Sequence, residues 1–261
     1  MDTNSNSYTF IFSAIMVVVV AVVLSFAAIS LKPLQTQNVK LEKMQNILSS
    51  VGINVLADEA ESTYSKYIVE DIVVDVQGDI VEGDVKAFDL DLKKELAKDV
   101  QDQKFPLFKC DKDGELLYII PMRGVGLWGP IWGYVALKDD FNTVYGTSFD
   151  HKSETPGLGA EINRDFFMDQ FKGKKIFNNS GEFMSVKVEK AGRVEKGYPH
   201  AVDGISGGTI TSNGVSEMFG RTLRNYLEFF KSKSNQIDEV EINEEVEEDL
   251  ELEPVEENQE A

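Results

Sequence analysis

The chain has 261 residues, a formal net charge of −19 and 42% hydrophobic residues, enough for one or two domains with a sizeable core. The acidic balance argues against nucleic acid as a partner, because phosphate backbones attract basic surfaces. A single cysteine, Cys110, excludes a disulfide framework, a CxxC pair and a self-contained iron–sulphur site, and only two histidines, His151 and His200, are available, so no metal site is expected.

In chain order, residues 1–9 form a short stub with no Lys or Arg. Residues 10–31 read FIFSAIMVVVVAVVLSFAAISL, and 14 of these 22 are Val, Ile, Leu or Phe. As a helix they reach about 33 Å, enough to cross a hydrocarbon core. A cleaved signal peptide normally has a basic leader and a shorter apolar stretch, so the pattern predicts an uncleaved transmembrane anchor. Lys32, Lys40 and Lys43 follow the span and no base precedes it, so the positive-inside rule would place the body in the cytoplasm.

Residues 32–66 read as a juxtamembrane helical segment, with Leu41, Met44, Leu48 and Val51 at helical spacing. Residues 67–234 read as the folded domain. Strands are predicted over 68–76, 116–122, 131–137 and 143–149, and a half-buried one over 182–190. Helices are predicted over 160–171 and 212–231. The second carries Val215, Met218, Phe219, Thr222, Leu223, Tyr226, Leu227 and Phe230 on one face. Grouped strands with a few helices predict an α+β domain built on a mixed or antiparallel sheet. Residues 235–261 hold 13 acidic residues and no Lys or Arg, leaving 32 acidic against 26 basic residues before them. Such a tail cannot bury a core and is expected to be disordered.

The informative stretch is Asp203-Gly-Ile-Ser-Gly-Gly-Thr-Ile-Thr-Ser-Asn-Gly214, just before the last predicted helix. Gly207 and Gly208 let backbone N–H groups converge, the helix start adds unpaired N–H groups, and Ser206, Thr209, Thr211 and Ser212 add hydroxyls. That chemistry suits a phosphate. A serine- or threonine-capped helix after a flexible loop is the plain alternative. No P-loop lysine and no GxGxxG pattern is present, which disfavours nucleoside triphosphates and dinucleotides.

Asp203-x-x-Ser206-Gly207-Gly208-Thr209-x-Thr211 resembles the flavinylation motif of FMN-binding domains. The resemblance implies an FMN phosphate esterified to Thr211 by a separate flavin transferase, with Asp203, Ser206, Gly207, Gly208 and Thr209 serving binding or recognition. The middle residue of the pattern is most often alanine; this chain has Gly208. A second segment, His151-Lys-Ser-Glu154-Thr155-Pro156-Gly157-Leu158-Gly159, resembles the HxETPGLG element of the same family. There Pro156-Gly157 fixes a turn, Gly157 and Gly159 permit close approach to a flat ring, Glu154 and Thr155 offer hydrogen bonds, and Leu158 offers an apolar face. A third, Gly124-Val-Gly-Leu-Trp128-Gly-Pro-Ile-Trp132-Gly133, is similar to the GxGLWGPxxG stretch of the NqrC family, flavin-bearing components of sodium-translocating NADH:quinone reductases. Trp128 and His151 are possible further contacts.

The resemblance implies a flavoprotein component of a bacterial inner-membrane complex, with its N-terminus inside and its flavin domain periplasmic, against the lysine count. Electrons would pass through FMN toward ubiquinone as sodium is exported, with the other subunits of the complex as partners. The related RnfG component of the Rnf electron-transport complex is the nearest alternative, and a membrane-anchored, non-redox binding or assembly protein is the alternative from another class.

Overall fold

The structure, a computed structural model, describes residues 6–233, so the acidic tail lies outside the described residues. The apolar span and the amphipathic segment form one continuous helix, α1 (Asn6–Ser50), of 45 residues and about 67 Å. Its apolar part is long enough to cross a membrane and none of that window is buried. Only the last turns, with Met44, Ile47 and Leu48, are buried against the domain.

The C-terminal end of α1 is defined by hydrogen bonding. Gly52, at φ +75°, donates to Ser49 O, and Ile53 N reaches back to Leu48 O at 3.0 Å. This is the two-bond C-terminal motif in which glycine takes the left-handed position at no steric cost. Lys112 Nζ then donates to Val51 O at 2.7 Å, a cation held where the helix dipole is negative. After α2 (Ala60–Tyr67), the chain enters β1 (Ile68–Val74). The connection to the next strand carries the one-turn helix α3 (Leu92–Glu95), capped by Asp91.

Four further strands, β2 (Phe105–Lys112), β3 (Glu115–Val125), β4 (Pro130–Lys138) and β5 (Val144–His151), complete an antiparallel meander in chain order. Its two faces bury different side chains. Phe108, Cys110, Leu117, Ile119, Tyr134 and Ala136 meet the end of α1 and Tyr64 of α2. Leu107, Ile120, Met122, Val135 and Leu137 meet the layer on the opposite side. Burial on both faces explains why the middle of β3 reads LLYIIPM, apolar throughout rather than alternating. Burial pushes the Cys110 thiol up to about 11, so at neutral pH it is an apolar core group.

Three of the expected elements differ in the structure. Residues 160–171 are not one helix: two 3-10 turns, Gly159–Asn163 and Asp169–Phe171, flank the four-residue α4 (Asp165–Met168). Arg164 is extended (φ −98°, ψ 145°) and interrupts the helical run so that Ile162, Phe167 and Phe171 all reach the core. The strand expected over 182–190 shrinks to β6 (Lys187–Glu189), paired in parallel with β7 (Ala201–Asp203). Ser185 at φ +62° breaks it, with Met184 N and Ser185 N both donating to Ile176 O. The last helix, α5 (Thr209–Arg224), starts three residues earlier than expected. It is interrupted at Asn225 and Tyr226, whose N–H groups donate to Thr222 O and Leu223 O, before helix resumes over 227–233. Tyr226 occupies the break, its hydroxyl donating to Pro106 O at 2.7 Å.

Candidate functional site

The site lies where three segments distant in sequence meet. β3 and β4 are joined by a tight hairpin in which Gly126 N donates to Gly129 O at 2.8 Å, leaving Leu127 and Trp128 at its tip. β5 ends at His151 and runs into the turn of residues 152–159. The third segment is the N-terminus of α5, so Thr209, Thr211 and Ser212 stand in the first helical turn rather than in the preceding loop.

Glu154 connects the three. Its Oε1 accepts from Trp128 N at 2.8 Å, and its Oε2 accepts from Thr211 Oγ1 at 2.6 Å. Its own amide donates to His151 Nδ1 at 3.2 Å. Thr211 is only 2% exposed and Glu154 only 5%. The 2.6 Å separation is in the range of charge-assisted O–H···O⁻ bonds. Two glycines make room for the pair. A Cβ on Gly159 would stand 2.4 Å from both Glu154 Oε2 and Thr211 Oγ1, and one on Gly126 would stand 2.6 Å from Glu154 Oε1. Gly126 is a site residue that sequence reasoning missed; its place in the GLWG hairpin is its only sequence signal.

No side chain caps the N-terminus of α5. Its cap residue is Gly208, which has no side chain to bond the first-turn amides, so the Ser/Thr-capped alternative does not apply. Ser212 Oγ instead accepts from Ile205 N at 3.0 Å and ties the glycine turn to the helix. Gly207, at φ +77°, lies under Leu158, whose Cδ2 would be 2.6 Å from an added Cβ. Ser206 and Thr209 are exposed in the same turn. Thr155 O accepts from Leu158 N and Ala160 N, and Gly157 N donates to Glu161 Oε1 at 2.8 Å. Around the Glu154–Thr211 pair, Leu127, Trp128, Leu158 and Ile210 present exposed apolar side chains.

Asp203 is directed elsewhere. Its Oδ1 accepts from Arg193 N and Val194 N at 2.9 and 3.1 Å, and its backbone pairs with Gln170. It shapes the loop before the glycine turn and does not join the Glu154–Thr211 pair. His151 acts through its contact with the Glu154 amide. On the strand next to it, burial and the charge of Asp150 raise the Glu42 carboxyl of α1.

An uncapped helix start, a buried threonine hydroxyl and glycine-lined space fit a phosphate with an apolar ring beside it. The FMN-binding domain family matches residues 126–224. The NqrC protein of the Na(+)-translocating NADH-quinone reductase of Haemophilus ducreyi is 33% identical over 233 residues, which is 84% of this chain and 90% of that protein. The corresponding protein of Vibrio alginolyticus is 34% identical over 217 residues, 77% of this chain and 84% of that protein. The crystal structure of NqrC from Parabacteroides distasonis is 47% identical, with a TM-score of 0.70, covering 77% of this chain and 96% of that one. That of Shewanella oneidensis NqrC is 28% identical with a TM-score of 0.62, covering 75% and 98%. The chain belongs to the NqrC family, one component of the Na+-translocating NADH-quinone reductase, an oxidoreductase complex.

Proposed function

We propose that this chain carries FMN in phosphoester linkage on Thr211 and relays electrons toward ubiquinone within a sodium-exporting NADH:quinone reductase. The observation that carries this reading is the Thr211 hydroxyl in the first turn of an uncapped 16-residue helix, hydrogen-bonded to a fixed carboxylate. First-turn amides of α5 and the Ser206–Thr209 turn would hold the phosphate, and Leu127, Trp128, Leu158 and Ile210 would shield the ring from water. When bound, FMN supplies one- and two-electron redox chemistry, and the protein holds and orients it. Covalent attachment suits a relay, because the carrier cannot be lost between donor and acceptor. A flavin transferase makes the linkage, and the other subunits of the complex supply the NADH and quinone sites. The single apolar helix anchors the chain in the bacterial inner membrane, with the flavin domain on the periplasmic side.

Expression with the flavin transferase, followed by a denaturing gel under ultraviolet light, tests the attachment. The wild type and Thr209→Val are expected to give a fluorescent band, and Thr211→Val none. A dark wild-type band would remove the electron-carrier reading.

A further inference from the structure

We infer that Glu154 is the general base for modification of Thr211, so that the acceptor chain itself supplies proton-transfer chemistry to its own flavinylation; the inference rests on the attachment site proposed above. An aliphatic hydroxyl is a weak nucleophile and gains from an adjacent proton acceptor. The Thr211 hydroxyl donates to Glu154 Oε2 at 2.6 Å, within the range required of a general base.

Glu154 is built to hold this position. Its second oxygen is fixed by Trp128 N at 2.8 Å, from the β3–β4 hairpin, and its amide by His151 Nδ1 at 3.2 Å, from the end of β5. Both anchors lie outside the turn of residues 155–158. Thr211 is 2% exposed and Gly159 stands against its Oγ1, so the backbone there must shift to admit a phosphorus atom. The turn of residues 155–158 is held by Leu158 N and Ala160 N donating to Thr155 O, Glu161 N to Leu158 O and Gly157 N to Glu161 Oε1. His151 is the titratable side chain that contacts Glu154, through its Nδ1 and the Glu154 amide.

The step needs an activated flavin phosphate, namely a flavin dinucleotide whose FMN phosphorus sits in a phosphoanhydride. The Thr211 Oγ1–P bond forms as the bond from that phosphorus to the bridging oxygen breaks. The hydroxyl proton passes to Glu154 Oε2, and the nucleoside monophosphate leaves with the bond pair. Glu154 then returns the proton to solvent. No net oxidation occurs.

The test follows flavin incorporation into the full-length chain in detergent by intact mass, with purified transferase and flavin dinucleotide. Glu154→Gln should slow incorporation by about 100-fold or more, the usual span of general-base catalysis being about 10²–10⁴. A Glu154→Gln chain with an unchanged melting temperature and a wild-type rate overturns the assignment and leaves attachment intact. If Glu154→Gln melts early, Glu154→Asp and Glu154→Asn, equally shortened, decide: at least tenfold faster incorporation in the Asp variant supports the base, and equal rates overturn it. A wild-type chain that gains no flavin mass overturns the attachment reading and this assignment together.

Discussion

A methyl group on Gly159 would press on Glu154 Oε2 and Thr211 Oγ1 together, each 2.4 Å from the added carbon. Neither can retreat, since Glu154 is tethered to Trp128 N and Thr211 stands in a helix. Gly159→Ala is therefore expected to cost about 1–3 kcal/mol, as overpacking does, and to slow flavin incorporation. Gly157→Ala meets nothing within 4 Å and strains only the backbone at φ +77°, so it should cost about 1 kcal/mol and leave the Glu154–Thr211 bond intact. Urea unfolding of the unmodified chains checks both. Thr211 and Glu154 were each legible in the sequence through the resemblance of their segments. Their bond was not, because 57 residues separate them and no local pattern encodes the contact.

At the scale of elements, β1, β3, β4, β5 and α5 were legible because each carries an apolar run or stripe of the right period. β2 was missed because FPLFKCDK opens with a proline at its second residue. Pro106 is tolerated there because it pairs with Val73 of β1, while the ladder to β3 begins only at Phe108. The turn between β4 and β5 carries a pH dependence. Burial raises the Asp140 carboxyl, but bonds from Thr143 and Asn142, with the nearby Lys175, outweigh burial and hold it below the usual range. A carboxyl depressed in the folded state contributes stability above its unfolded pKa, and that contribution is lost as pH falls through the folded value. Asp140→Asn should thus destabilise the domain at pH 7, and the gap to wild type should close as pH falls below the usual aspartate range, as read by urea unfolding at each pH.

For the whole molecule, α1 joins an apolar span long enough to cross a membrane to the core. Met44, Ile47 and Leu48 of α1 and the adjoining Val51 are buried. At about 1.5–3 kcal/mol for each side chain, their removal would forfeit about 6–12 kcal/mol, comparable to the total stability of a typical domain. A chain starting at residue 40 is expected to be soluble and to melt cooperatively; one starting at residue 53 is expected to show no cooperative melt, as calorimetry or circular dichroism would show. Beyond residue 31 the helix continues unbroken to Ser50, with Pro33 inside it, so the domain is joined to the span by helix rather than by a loose linker.

By itself, the sequence determined the apolar span, the acidic tail, the class of the domain and the segments that meet at the candidate site, because hydropathy, charge and backbone-permissive glycines act locally. Only the tertiary structure decided that the last turns of α1 belong to the core, that residues 160–171 break into short turns, and that Glu154 bonds Thr211. Those outcomes depend on which surfaces compete for the two faces of one sheet, a competition that no window of sequence contains.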